Sequence, residues 1–154
     1  MTDIGLRTFD RCTSLKSVTI PAGVTRIRSF TFRDCISLTS VTIGDGVASI
    51  GTYAFNDCSG LTSMTIPDGV TSIGQGAFQF CRNLADVYFD GDEPANVGIV
   101  AFLGVHSGCK AWVYIDKPGW SSYSEGDTWN YLTIAFRVPG AGIVKYRTES
   151  SGDT

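Results

Sequence analysis

The sequence has little of what most enzymes use. Its 154 residues include one histidine, and charged residues make up only 18 %. That histidine, His106, sits in Gly104-Val105-His106-Ser107-Gly108 with no G-x-S-x-G elbow, so histidine-assisted nucleophilic chemistry has no support. No phosphate loop of the G-x-x-x-x-G-K-[ST] type is present, and C-x-x-C is absent, which removes the commonest zinc and dithiol motifs. Asp90-Gly91-Asp92-Glu93 offers carboxylates without the further ligands of a calcium loop. No metal, cofactor or catalytic residue is therefore assigned, and the chain is read as non-enzymatic.

Other absences bound the setting. No apolar run approaches the roughly 18 residues that span a bilayer, so membrane insertion is not expected. Met1 to Arg7 is interrupted by Asp3 and Arg7, so it is not a signal peptide, and N-x-[ST] sequons are missing. There is no basic excess: 12 basic against 15 acidic residues give a net charge of −3, and no nucleic-acid partner is expected. What is present is a hydrophobic fraction of 43 %, enough to collapse into one domain.

The dominant positive feature is a repeat. Phe9, Phe32, Phe55 and Phe78 are spaced by 23 residues, and so are Cys12, Cys35, Cys58 and Cys81, and Leu15, Leu38, Leu61 and Leu84. The same phase carries Val18, Val41, Met64 and Val87, then Ile20, Ile43, Ile66 and Phe89, and a turn column of Gly23, Gly46 and Gly69. Within a unit, Leu61 to Ile66 alternates as a half-buried strand, with Met64 and Ile66 inward and Ser63 and Thr65 outward. Pro67-Asp68-Gly69 supplies a turn, and Val70 to Gly74 a second short strand. Ala77, Phe78 and Cys81 follow at helical spacing, which predicts about one turn of helix or 3₁₀. A unit this short cannot bury its apolar side alone, so units must stack and each column becomes a ladder.

The pattern I-G-x-x-A-F-x-x-C-x-x-L-x-S-V-T-I-P-x-G-V-T-S, matched almost throughout by residues 50–72, resembles the BspA-type leucine-rich repeat of bacterial and some protozoan surface proteins. Residues 4–89 carry the resemblance, Val97 to Phe102 repeat one element after a one-residue insertion, and Trp112 to Ile115 resemble a final strand. The segment with Tyr114, Pro118, Tyr123, Trp129 and Ile134 is similar to the element that ends many such arrays. The implied fold is a repeat solenoid, a right-handed leucine-rich-repeat superhelix of the α/β horseshoe class. It should be β-rich with little helix, have about five coils, and end in an aromatic C-terminal cap. One domain is expected over 1–135, with repeats to about 112 and the capping segment over 113–135. Residues 136–154 are expected to be a tail, partly disordered or the start of a linker.

Because the chain enters in mid-unit, a piece cut from a longer array is expected, with the uncapped N-terminal end as a candidate dimer contact. The cysteine column is expected to hold buried free thiols, since stacked Cβ vectors run parallel and do not converge. Residues 1–35 hold six of the bases and three of the acids, but Asp10 with Arg33, Arg11 with Asp34, and Asp3 with Arg26 lie one coil apart and are expected to pair.

The outward strand positions are the place to look for a ligand. Ser17 and Thr19, Ser40 and Thr42, Ser63 and Thr65 form a hydroxyl ladder, after which Asp86, Tyr88 and Asp90, then Trp112, Tyr114 and Asp116, bring aromatics and carboxylates to the surface. These six are the candidate ligand-binding residues, either presented openly or covered by the capping segment. The resemblance implies an exported interaction module of adhesion type, at the cell surface or outside the cell, whose partner is a protein or glycan on a host or neighbouring cell. A structural spacer, and a carbohydrate-binding module using the same aromatics, are the alternatives.

Overall fold

The computed structural model describes residues 3–140; the last fourteen residues of the expected tail lie outside the described residues. Two kinds of strand recur along the coils. The longer strand, alternating inward Val or Met and Ile with outward Ser and Thr, forms β2 (Ser17–Ile20), β4 (Ser40–Ile43), β6 (Ser63–Ile66), β8 (Asp86–Phe89), β10 (Lys110–Tyr114) and β12 (Leu132–Arg137). The shorter one forms β1 (Asp3–Ile4), β3 (Arg26–Ile27), β5 (Ser49–Ile50), β7 (Ser72–Ile73) and β9 (Asn96–Val97). All pair in parallel with their equivalents, so the chain is a repeat solenoid with six long strands where about five coils were expected. The shorter strands make one sheet; the longer ones make a pair, β2–β4, and a sheet in the order β6-β8-β10-β12, closed antiparallel by β11 (Thr128–Trp129).

Register follows the sequence period. Ile27 lies beside Ile50 and Ile50 beside Ile73, while Ile66 meets Phe89 at the same offset. Asn96 pairs with Ser72, one residue further along, so the insertion falls in the turn 90–95. Inside, the phenylalanine column stacks with ring centroids 5.1–5.3 Å apart and planes within 10° from Phe9 through Phe32, Phe55 and Phe78 to Phe102. Each buried ring removes apolar surface worth roughly 1.5–3 kcal/mol. Phe9, Leu15 and Val18 of the first coil are only partly buried, because the N-terminal end opens on a cavity lined by Ile4, Phe9, Val18, Pro21 and Val24.

The third side corrects the expected turn of helix. Thr8, Asp10 and Cys12 donate back within their coil, whereas the alternating N–H groups of Arg7, Phe9 and Arg11 reach Ser29, Thr31 and Arg33 carbonyls of the next coil at 2.7–3.2 Å. A helix would spend those donors internally. Diverting every second one requires left-handed residues twice per coil, and non-glycine residues accept it: Arg7 and Arg11, Phe30 and Asp34, Tyr53 and Asp57, Phe80 and Val100 have φ of 53–61°. Each costs on the order of 1–2 kcal/mol, which the ladder of cross-coil hydrogen bonds holds in place.

All five cysteines are unbridged, and the column explains why a thiol suits it. The Sγ–H of Cys35, Cys58 and Cys81 donates to the Phe9, Phe32 and Phe55 carbonyls at 3.0–3.1 Å, a second donor to oxygens that already accept the N–H of Cys12, Cys35 and Cys58. Burial pushes the thiols of Cys35 and Cys109 up to about 12, and a hydrogen bond with Cys81 followed by burial pushes Cys58 upward too. Of the expected charge pairs, Arg33 reaches Asp10 at 2.8 Å and Arg11 reaches Asp34 at 3.5 Å. Asp3 lies beside Arg26 in the ladder, but its carboxylate is bound by Arg28 at 2.7 Å, the diagonal neighbour two residues along.

The C-terminal end is closed by aromatics. A single 3₁₀ turn, Pro118–Trp120, and β11 carry Trp120 and Trp129 onto Phe89 and Phe102, with centroids 5.3–6.1 Å apart, and onto each other at 5.1 Å. The widened turn at the insertion receives this cap. Glu93 accepts hydrogen bonds from Tyr123 Oη at 3.0 Å and Trp129 Nε1 at 2.7 Å, Asp92 accepts from the Gly119 N–H, and the Gly91 carbonyl accepts from Trp120 Nε1. The carboxylates of Asp90-Gly91-Asp92-Glu93 thus have a structural use. The cap also continues past residue 135, since Phe136 and Arg137 belong to β12 and pair with Val113 and Tyr114.

Candidate functional site

The long strands present three outward columns. In the first three coils two of these carry exposed Ser17 and Thr19, Ser40 and Thr42, Ser63 and Thr65. The equivalent positions in the last three coils are Asp86 and Tyr88, Lys110 and Trp112, Thr133 and Ala135, with Asp90, Tyr114 and Arg137 in the third column. The insertion shifts the fifth coil by one residue, so the positions matching Asp86, Tyr88 and Asp90 are Lys110, Trp112 and Tyr114, not Trp112, Tyr114 and Asp116.

The structure brings five of the six expected residues into one cluster. Trp112 stacks on Tyr88 with centroids 6.3 Å apart and planes 12° apart, and its Nε1–H donates to Asp86 Oδ1 at 2.7 Å. It is only 7 % exposed, so its ring is spent on holding neighbours more than on meeting solvent. Tyr88 and Tyr114 are half-buried and keep part of their rings accessible. Asp116 is exposed in the turn after β10, and its carboxylate meets no donor among the described residues.

Two members of the cluster were not anticipated. Lys110 is exposed, with its ammonium 5.1 Å from the Trp112 ring centroid. Arg137 crosses the sheet: its guanidinium carbon lies 3.9 Å from the Tyr114 ring centroid and 5.5 Å from that of Tyr88, and Nη2 donates to the Phe89 carbonyl and Asp90 Oδ1 at 2.7 Å each. One side chain of the cap strand therefore ties the sixth coil to the fourth across the fifth. Its Nε is buried and has no partner among the described residues, which marks the position as set by stacking and by the Nη2 contacts. The signal for Arg137 was present as the period itself, since Ala111 to Ile134, Val113 to Phe136 and Tyr114 to Arg137 each span 23 residues.

Electrostatically the cluster is mixed. Burial, then the charge of Asp86, raises the Tyr88 hydroxyl above its ordinary value, with Arg137 opposing, so Tyr88 stays a neutral donor. Among the described residues no three His, Cys, Asp or Glu side chains gather as a metal site, and His106 lies exposed in the loop before β10, bonded to the Gly108 N–H. What the arrangement offers is a rigid surface of half-exposed tyrosines between fixed charges.

Residues 1–105 match, in six copies, the family described as BspA type leucine-rich repeat region. Among solved structures the chain is similar to a T. pallidum leucine-rich repeat protein, 28 % identical with a TM-score of 0.65, over 73 % of this chain and 51 % of that one. It is also similar to a leucine-rich repeat protein from Bacteroides ovatus, 25 % identical with a TM-score of 0.58, over 89 % of this chain and 39 % of that one. The chain thus spans about half the length of the first and about two fifths of the second. No curated protein matches it.

Proposed function

Because the chain belongs to the BspA-type leucine-rich-repeat family, we propose that it is a non-catalytic interaction module of an exported protein, at the cell surface or beyond it, that binds a macromolecule of a host or neighbouring cell. The contact is made by the outward face of the long-strand sheet in its last three coils. One observation supports this above the others: the parallel pairing of the long strands continues while the outward residues switch from a uniform hydroxyl ladder to Asp86, Tyr88, Lys110, Tyr114 and Arg137. Half-exposed tyrosines fixed by stacking have large contact area at low entropic cost, which is the character of binding hot spots.

The test is a panel of matrix proteins and glycans probed with the chain and with Tyr88→Ala/Tyr114→Ala. The reading expects protein hits in the wild type that weaken about tenfold or more in the double variant. Glycan hits lost in that variant would favour the carbohydrate-binding alternative, and silence across the panel would favour a spacer.

A further inference from the structure

The short strands end differently from the long ones. At the C-terminal end β11 closes the long-strand sheet, but β9 is the last of the short strands and its outer edge has no partner among the described residues. The carbonyls of Ile27, Ile50 and Ile73 each accept an N–H from the next coil at 2.7–2.8 Å, whereas that of Val97 meets no donor among the described residues. The third side stops in the same way. Gly76, Phe78 and Phe80 donate to the Ile99, Ala101 and Leu103 carbonyls at 2.8–3.1 Å, while the equivalent donors one coil on, Val100, Phe102 and Gly104, meet no acceptor among the described residues. Phe102 is 0 % exposed, so its N–H is shut off from bulk water. A buried backbone donor left unpaired is costly, and native folds rarely keep one.

The period points to what serves this edge. Phe136 lies in line with Val113, Phe89 and Ile66 on successive long strands. From Ile20, Ile43 and Ile66 the inward isoleucine of the short strand stands seven residues on, at Ile27, Ile50 and Ile73, and seven residues beyond Phe136 is Ile143. The same count puts Tyr146 in the column of Phe30 and Tyr53, whose rings stack with centroids 5.4 Å apart. It puts Thr148 in the phenylalanine column, where Trp129 already stands against Phe102 with centroids 6.1 Å apart. The repeat pattern therefore lapses only where the cap has taken over the core.

We propose that residues 141–149, which lie outside the described residues, run along this edge as one further coil. Ile143 pairs in parallel with β9, and the carbonyls of Lys145, Arg147 and Glu149, at the positions of Ser29, Thr31 and Arg33, accept from Val100, Phe102 and Gly104. The occupant is this chain and not a second molecule, because Gly140 follows β12 at the point where the earlier coils turn toward their short strands, and fourteen residues remain beyond it. An uncovered edge of this kind is a template for pairing between chains, which gives the fold a use for the segment.

Residue-resolved amide hydrogen exchange on the full chain, on a chain ending at Gly140 and on the full chain with Ile143→Asp tests this. The expected result is slow exchange of the Val100 and Gly104 amides in the full chain. In both altered chains they should exchange about tenfold faster or more relative to the amides of Phe55 and Phe78, whose acceptors are untouched. Fast exchange at Val100 and Gly104 in the full chain overturns the proposal, and so does an equal change, or none, at all four amides in the altered chains. Protection that rises with chain concentration would put a second copy on the edge and overturns it as well.

Discussion

The outward pairs across β2, β4 and β6 are Ser17 with Thr19, Ser40 with Thr42, and Ser63 with Thr65, whereas across β8, β10 and β12 they are Asp86 with Tyr88, Lys110 with Trp112, and Thr133 with Ala135. Behind both halves the same columns run without a break: phenylalanine from Phe9 to Phe102, and Val, Met or Ala beside Ile, Phe or Val on the strands. The contrast shows that the packed core and the outward surface use different residues of the same strand. Since period-two alternation sends them to opposite faces, one face can be rewritten without disturbing the other.

The strongest way to break this separation is from the inside. Phe55→Ala removes a ring stacked on both sides at 5.1 and 5.3 Å, and should cost about 3–5 kcal/mol in chemical denaturation. The loss should be felt in both halves at once, since each coil is held by its neighbours.

Alkaline pH is a second internal test. Thiols of Cys35 and Cys109, pushed up to about 12 from an ordinary 9.0, stay protonated in the fold after the unfolded chain has ionised. Because the folded value is the higher, this contribution is complete below about pH 9 and is lost as pH rises toward 12. Denaturation midpoints should therefore be level up to about pH 9 and fall above it, and thiol reagents should find half-buried Cys12 before the other four.

The two ends differ as well, and the cap can be loosened alone. Glu93→Ala strands the buried donors of Trp129 and Tyr123 and should cost about 1–3 kcal/mol, with the tryptophan emission shifting toward that of exposed rings. Arg137→Ala should cost somewhat less, about 1–2 kcal/mol, and should alter ligand binding, whereas Glu93→Ala should not. Arg137→Lys keeps the charge and loses the flat stacking on Tyr114, so it should only partly restore either. The smallest effect belongs to the hydroxyl ladder: Thr19→Ala/Thr42→Ala should change stability by no more than about 0.5 kcal/mol per site and leave binding unchanged.

Much of this was legible in the sequence, for a definable reason. Stacked identical coils turn a period into a contact map, so Ile27, Ile50 and Ile73 could be placed side by side from spacing alone. What the period does not encode is how the backbone closes between strands. Ala77, Phe78 and Cys81 have helical spacing, yet alternate N–H groups serve the next coil, a choice made by neighbours and not by local propensity. The site was read in part because the fifth long strand starts at Lys110, two residues before Trp112, and ends at Tyr114, which brings in Lys110 and leaves Asp116 beyond it. Arg137 escaped notice because its coil has Tyr131 and Phe136 where the repeat has leucine and isoleucine, and keeps only the spacing.

The most direct test of a recognition surface confined to the later coils is hydroxyl-radical footprinting of the chain with a bound macromolecule from the panel. Tyr131, exposed on the cap, and Leu6, exposed in the first coil, report any general loss of reactivity. The account predicts protection of Tyr88 and Tyr114 while Tyr131 and Leu6 react as before. Unchanged Tyr88 and Tyr114 with protection at Leu6, or at Ile36 and Ile99 on the third side, would contradict it.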